Sequence, residues 1–131
     1  MGFNFDWQAS QYESILGPSH KHYIRQKTDL LLRCIREKGL NTKTMLDVGC
    51  GTGELERNLA NRLEVVGVDL AISMLRVAKN RRRDCEFLRA SCNNLPFRDG
   101  AFTMVLVVNV LHHLKLSDRQ ALFSEVSKTV A

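Results

Sequence analysis

Apolar positions along the chain change their spacing near residue 44, and the change divides the sequence into a helical opening and an alternating remainder. From Asp6 to Leu16, the residues Trp7, Tyr12, Ile15 and Leu16 fall loosely on one face of a short helix that stops at Gly17-Pro18. From Ser19 to Lys38 a fuller stripe of Tyr23, Leu30, Leu31, Cys34 and Ile35 predicts a second helix, with Pro18-Ser19 as its start and Gly39 as its stop. Beyond Thr44, short apolar runs alternate with helical stretches. Strands are expected over Thr44 to Gly49, Glu64 to Leu70, Cys85 to Ala90 and Phe102 to Val110, with helices over Glu54 to Leu63 and Ile72 to Arg82. A last helix is expected from Asp118, capped by Ser117 with Gln120 reaching back, and with Leu122, Phe123, Val126 and Val130 on its apolar face.

Runs such as Met104 to Val108 are apolar at every residue and so need cover on both faces, which predicts a parallel sheet between helical layers, an α/β fold. The length, 131 residues, and a composition that is 44% hydrophobic and 25% charged suit one domain over residues 1–131, with N-terminal helices in 1–40 and a core in 41–131. The longest apolar run is far shorter than the roughly 20 residues of a membrane helix. The N-terminus has no basic stretch leading into an apolar one, and Asp6 stands where a myristoylation signal wants Ser or Thr, so a cytoplasmic protein is expected.

The cysteines Cys34, Cys50, Cys85 and Cys92 form no Cys-x-x-Cys pair and the four histidines have no zinc-site spacing, so reduced, mostly buried thiols and no metal are expected. The net charge of +5 draws partly on Lys79-Asn80-Arg81-Arg82-Arg83. This stretch would attract nucleic acid or an acidic ligand; the preferred reading is a helix end, where cations complement the macrodipole.

The chemistry centres on Gly49-x-Gly51-x-Gly53, a turn that follows the first strand of the alternating region and opens directly into a helix. Glycines let a ligand approach the backbone closely. The dinucleotide fingerprint needs a third glycine where Glu54 stands, and a carboxylate there would compete with a pyrophosphate for the helix amides, so a diphosphate is excluded. Asp69 ends the next strand, where a carboxylate can accept hydrogen bonds from both hydroxyls of a ribose.

With these residues in view, Met45 to Leu55, Val65 to Ala78 and Cys85 to Leu114 resemble the first three motif blocks of the class I S-adenosylmethionine-dependent methyltransferases, especially the group that includes ubiquinone and menaquinone biosynthesis enzymes. The resemblance implies a Rossmann-like three-layer sandwich with a mostly parallel sheet, and S-adenosyl-L-methionine as cofactor. It also implies that Gly49, Gly51 and Gly53 run under the methionine part, that Asp69 holds the ribose, and that Asp47 orients the amino end. Leu70 and Met74 would flank the adenine, the loop through Ser91 and Cys92 would pass its edge, and backbone near Asn109 would face the sulfonium. Three positions depart from the family pattern: Ser91 and Thr103 replace acids, and Ala71 replaces a polar helix cap.

His112 and His113 follow the apolar strand at the end where ligands gather in such sheets, and either one is a candidate general base. Local packing is the preferred reading for both. Family members continue through three more strands, so the chain is expected to be a fragment lacking the C-terminal strands, or to pair an exposed fourth-strand edge with a partner such as a second copy. Methyl transfer to a small-molecule acceptor is the leading functional reading. Its alternatives are a tRNA or rRNA methyltransferase and a truncated cofactor-binding or assembly module without catalysis.

Overall fold

The computed structural model describes residues 12–59, 63–108 and 110–131, with only the backbone described for 12–15. Trp7, the side chain of Tyr12 and Asn109 therefore lie outside the described residues. The helical opening is α1 (Tyr12–Glu37), broken at Gly17, whose φ of 74° and ψ of −175° no helix accommodates. Pro18 begins the second segment, where a missing N–H costs nothing. The stop at Gly39 is a Schellman turn, in which Leu40 N–H donates to the Ile35 carbonyl and Gly39 N–H to that of Arg36.

The phase of the α1 stripe differs from the sequence expectation. Ile24 and Thr28 are buried and Leu31, Leu32 and Ile35 half-buried, whereas Tyr23, Leu30 and Cys34 are exposed. Leu30, Leu31 and Leu32 are consecutive, so apolarity alone leaves the inward face undetermined by about 100° per residue. Cys34 is thus an exposed thiol, contrary to expectation, while Cys50 and Cys85 are buried.

The alternating region forms β1 (Thr44–Val48), α2 (Glu54–Asn58), β2 (Glu64–Asp69), α3 (Ile72–Arg81), β3 (Glu86–Arg89), β4 (Met104–Val107) and α4 (Leu116–Thr129). All strand pairs are parallel, in the order β3-β2-β1-β4. Because side chains alternate across a strand, the two faces of the sheet feed separate cores. Leu46, Val48, Val68, Val105 and Val107 meet Leu122 of α4 on one side, while Met45, Val65, Met104 and Leu106 meet Leu31, Leu32, Leu55 and Leu59 on the other. The result is the expected three-layer α/β arrangement.

Two expectations for α4 are corrected. The helix starts at Leu116 with Lys115 at its cap and no side-chain cap bond, so the Ser117–Gln120 capping box does not form. Leu122 is fully buried and Val126 half-buried, but Phe123 is 55% exposed. Thr103 has a larger part than its sequence suggested. Its hydroxyl donates to the Thr44 carbonyl and accepts from the amides of Lys43 and Thr44, tying the entry of β4 to that of β1.

After α4 the chain turns back beside Phe102, with Phe102 N–H donating to the Thr129 carbonyl at 3.1 Å and Ala131 N–H to the Phe102 carbonyl at 2.7 Å. This makes a parallel bridge between Phe102 and Val130. Among the described residues, Met104 to Val107 pair only with β1.

Truncating Leu122 to Ala should cost about 2–5 kcal/mol in urea unfolding, and truncating Phe123 to Ala less than about 0.5 kcal/mol. Equal losses would show that α4 packs through the other face.

Candidate functional site

The parallel registers align the carboxyl ends of the central strands, with Val48 opposite both Val68 and Val107. The glycine turn leaves the sheet at that level. Gly49 and Cys50 amides both donate to the Val68 carbonyl, at 2.8 and 3.0 Å, which bends the chain back over the end of β2. Gly49, Gly51 and Gly53 all have positive φ, of 77°, 57° and 72°.

The glycines serve different ends. At Gly53 a Cβ would come within 2.9 Å of the Ala78 Cβ and 3.2 Å of its backbone, so the bare α-carbon is what lets the start of α2 pack on α3. At Gly51 a Cβ would meet nothing within 4 Å among the described residues. One glycine is required by a neighbour, the other leaves open space above the turn.

Asp69 links the turn to the next connection. One carboxylate oxygen accepts from Gly51 N–H at 3.0 Å and the other from Ala71 N–H at 2.9 Å. The Ala71 bond satisfies an amide at the entry of α3, a position with no side-chain cap of its own. Leu70, next in sequence, is 58% exposed beside this corner, whereas Met74 is 3% exposed and belongs to the core.

Asp47 lies beneath the turn on the α2 side of the sheet and is 3% exposed. Beside it is Glu56 of α2, 0% exposed, with both carboxylate oxygens lacking a hydrogen-bond donor among the described residues. Burial pushes the Asp47 carboxyl well above the usual carboxylate range, and the charges of Glu56 and Asp69 push it further. Burial also raises Glu56, opposed by its contact with Asp47 and by the Arg82 guanidinium. Burial and the same three carboxylates hold the Cys50 thiol in its protonated form. Sequence reasoning missed Glu56, because a glutamate on a short helix ordinarily faces solvent.

A second unforeseen contact joins α1 to α2, where His20 Nε2 meets the Glu54 carboxylate. Glu54 directly follows Gly53, so the pair fastens the N-terminal helix to the end of the turn. The cleft between these helices, lined by Lys21, Arg25 and Arg57 among others, has a volume of about 60 Å³. That is far below the 300–1,000 Å³ of typical ligand pockets.

The basic stretch falls at the end of α3, as the preferred reading had it, with Lys79 and Arg81 in the last turn and Arg82 at the cap, and it is engaged within the fold. Arg81 donates to the Thr52 carbonyl at 3.3 Å, Arg82 to the Glu56 carbonyl, and Lys79 to the Cys85 carbonyl at 2.8 Å. Arg82 also pairs with Asp84 through two 2.8 Å bonds.

The loop after β3 is held against α4 by Leu95 N–H donating to Glu125 at 2.9 Å. In that loop Ser91 bonds Asn93, and Cys92 packs partly buried against the α4-side core. His112 and His113 lie in a 3-10 turn over Leu111–His113, exposed, with ring centroids 3.9 Å apart. Val110, just before them, fills the space above Gly49, where a Cβ would come within 2.3 Å of its Cγ2. Burial, then the His112 charge, lowers the His113 pKa.

Carboxylates at Asp47, Asp69 and Glu54 around an open glycine turn suit a cationic nucleoside better than a polyphosphate. Residues 45–131 match the family model described as a methyltransferase domain. The chain is 33% identical to the demethylmenaquinone methyltransferase of Thermotoga maritima, over 87% of this chain and 59% of that enzyme, so it spans about three-fifths of the relative's length. The PH0226 protein of Pyrococcus horikoshii OT3 superimposes with a TM-score of 0.83 at 24% identity, covering 98% of this chain and 62% of that one. The S-adenosylmethionine-bound CalS10 of Micromonospora echinaspora, an amino pentose methyltransferase, does so with a TM-score of 0.80 at 21% identity, over 91% and 52%.

The buried pair gives stability a pH dependence. Its folded-state affinity for protons exceeds that of the unfolded chain, so its contribution is full below the ordinary carboxylate pKa of about 4 and is lost as pH rises through the raised values. In urea unfolding from pH 5 to 8, Glu56→Gln should gain on the wild type as pH rises, by up to about 1.4 kcal/mol per pH unit. A constant difference between the two proteins would show that the pair binds no extra proton. Gly53→Ala should destabilise more than Gly51→Ala, which meets strain from its φ of about 1 kcal/mol without a clash; equal melting points would contradict the tight contact with Ala78.

Proposed function

The chain belongs to the class I S-adenosylmethionine-dependent methyltransferases, and from that premise we propose that it binds S-adenosyl-L-methionine over the glycine turn and serves methyl transfer to a small-molecule acceptor. One observation carries the reading: a positive-φ turn, open above Gly51, is tied by the Gly51 amide to a carboxylate at the end of the adjacent strand. Asp69 keeps acceptor capacity beyond its two backbone bonds, since a carboxylate offers about four lone-pair sites, and these would receive the ribose hydroxyls. Asp47 would attract the ammonium of the amino-acid end. Leu70 offers an exposed apolar surface to the adenine, and the Ser91–Cys92 loop would line its edge. Met74 would support that wall from within the core.

The bound cofactor supplies a methyl group on a positively charged sulfur, and the sulfur becomes a neutral thioether as the acceptor takes the methyl. The chain's own residues contribute chiefly position, holding the donor so that a nucleophile meets the methyl in line. His113, with its lowered pKa, would be available in the neutral form to take the acceptor's proton.

A nucleic-acid acceptor has less support. Arg81 and Arg82, the strongest sequence argument for one, are spent on carbonyls within the fold. Small acceptors are favoured, and no described helix is long and apolar enough to cross a membrane. The β4 edge remains the place where a further strand or a second copy would add.

Calorimetric titration with S-adenosylhomocysteine should show one-to-one binding. Asp69→Ala should weaken it roughly 10- to 100-fold, the worth of one or two hydrogen bonds to a charged group. Unchanged affinity in that variant would remove Asp69 from the site, and a folded wild-type protein that gives no heat would remove the cofactor.

A further inference from the structure

Asp47 and Glu56 present a problem that neither side chain solves alone. Both are buried, one at the end of β1 and the other on α2, and the two Glu56 oxygens have no donor among the described residues. The neighbouring charged groups do not supply one. Asp69 adds a third carboxylate from the end of β2, Cys50 is a protonated thiol turned to the Gly51 carbonyl, and His20 of α1 is engaged with Glu54. Arg82, approaching from the end of α3, spends its donors on the Glu56 main-chain carbonyl and on Asp84. Two bare carboxylates have nothing to donate to each other. With one proton between them, one becomes a donor and the pair is satisfied.

We propose that Asp47 and Glu56 share a single proton in the ligand-free protein and release it when the cofactor's ammonium settles beside Asp47, making Glu56 a positioning residue that couples cofactor binding to pH. The inference rests on the reading that the cofactor occupies the glycine turn. The step balances: the O–H bond of the shared carboxyl breaks, the proton leaves to solvent, and the ammonium's positive charge replaces it. The exchange leaves the net charge of the site unchanged, one negative charge before and after, and so avoids two uncompensated buried carboxylates in the ligand-free protein.

The probe is S-adenosylhomocysteine, titrated calorimetrically in buffers of differing ionisation enthalpy between pH 5 and 7, below the pKa of about 7.7 of an α-amino group. The wild type should release about one proton per ligand, with Kd falling up to about tenfold per pH unit. Glu56→Gln can donate an amide N–H to an already ionised Asp47. It should bind with no proton release and a flat pH profile. A protonated-carboxyl infrared band in the ligand-free wild type should disappear on saturation, a readout that does not need the variant to fold. Binding without proton release, or a band that persists, overturns the coupling and leaves the cofactor site standing. Absence of binding by the folded wild type at every pH overturns both.

Discussion

The Asp69 carboxylate is the contact on which the arrangement at the carboxyl ends of the strands depends. It accepts the Gly51 amide with one oxygen and the Ala71 amide with the other, and so locks the turn after β1 to the connection between β2 and α3. It adds to the bonds of the Gly49 and Cys50 amides to the Val68 carbonyl at the start of the turn, and it serves α3 where the helix begins at an alanine that cannot cap it. A residue at 69 without an acceptor would remove this partner from two part-buried backbone donors. The acid that the family pattern assigns to a ribose is therefore a structural clasp, and local order at this corner rests on its two oxygens.

Around that clasp the charges divide by side. Carboxylates gather under and beside the turn, at Asp47, Glu54, Glu56 and Asp69, while the arginines and lysine at the end of α3 approach from outside and bond to carbonyls. The cations thus brace the backbone without neutralising the carboxylates facing the open space. His20 crosses from α1 to Glu54 and ties the N-terminal helix to the same corner. Negative potential is left where a cationic ligand would enter.

Much of this was legible along the chain. The succession of strands and helices, the turn and the break at Gly17 follow from glycine, proline and apolar runs, which act through local backbone geometry, and the acid at 69 from its place at a strand end. What escaped was set by contacts between distant segments. Consecutive leucines at 30 to 32 hid the phase of α1, and the fully buried Glu56 looks on paper like any solvent-facing helix acid. Thr103 reads as a departure from the family's acid, yet its hydroxyl bridges to β1 with one donated and two accepted bonds. The basic run offered two readings, and only the positions of the Thr52 and Glu56 carbonyls distinguish them.

The contact between Gly53 and Ala78 reaches beyond the turn itself. Ala78 is completely buried, and its methyl already fills the space that a side chain at 53 would need, with Phe87 3.6 Å from the same point. Positions 53, 78 and 87 therefore share one fixed volume. Mutational drift at any of them is constrained by the other two: a larger residue at 78 would push the turn away from α3, and a smaller ring at 87 would open a void behind it. In descendants of this sequence the three positions should change together or not at all.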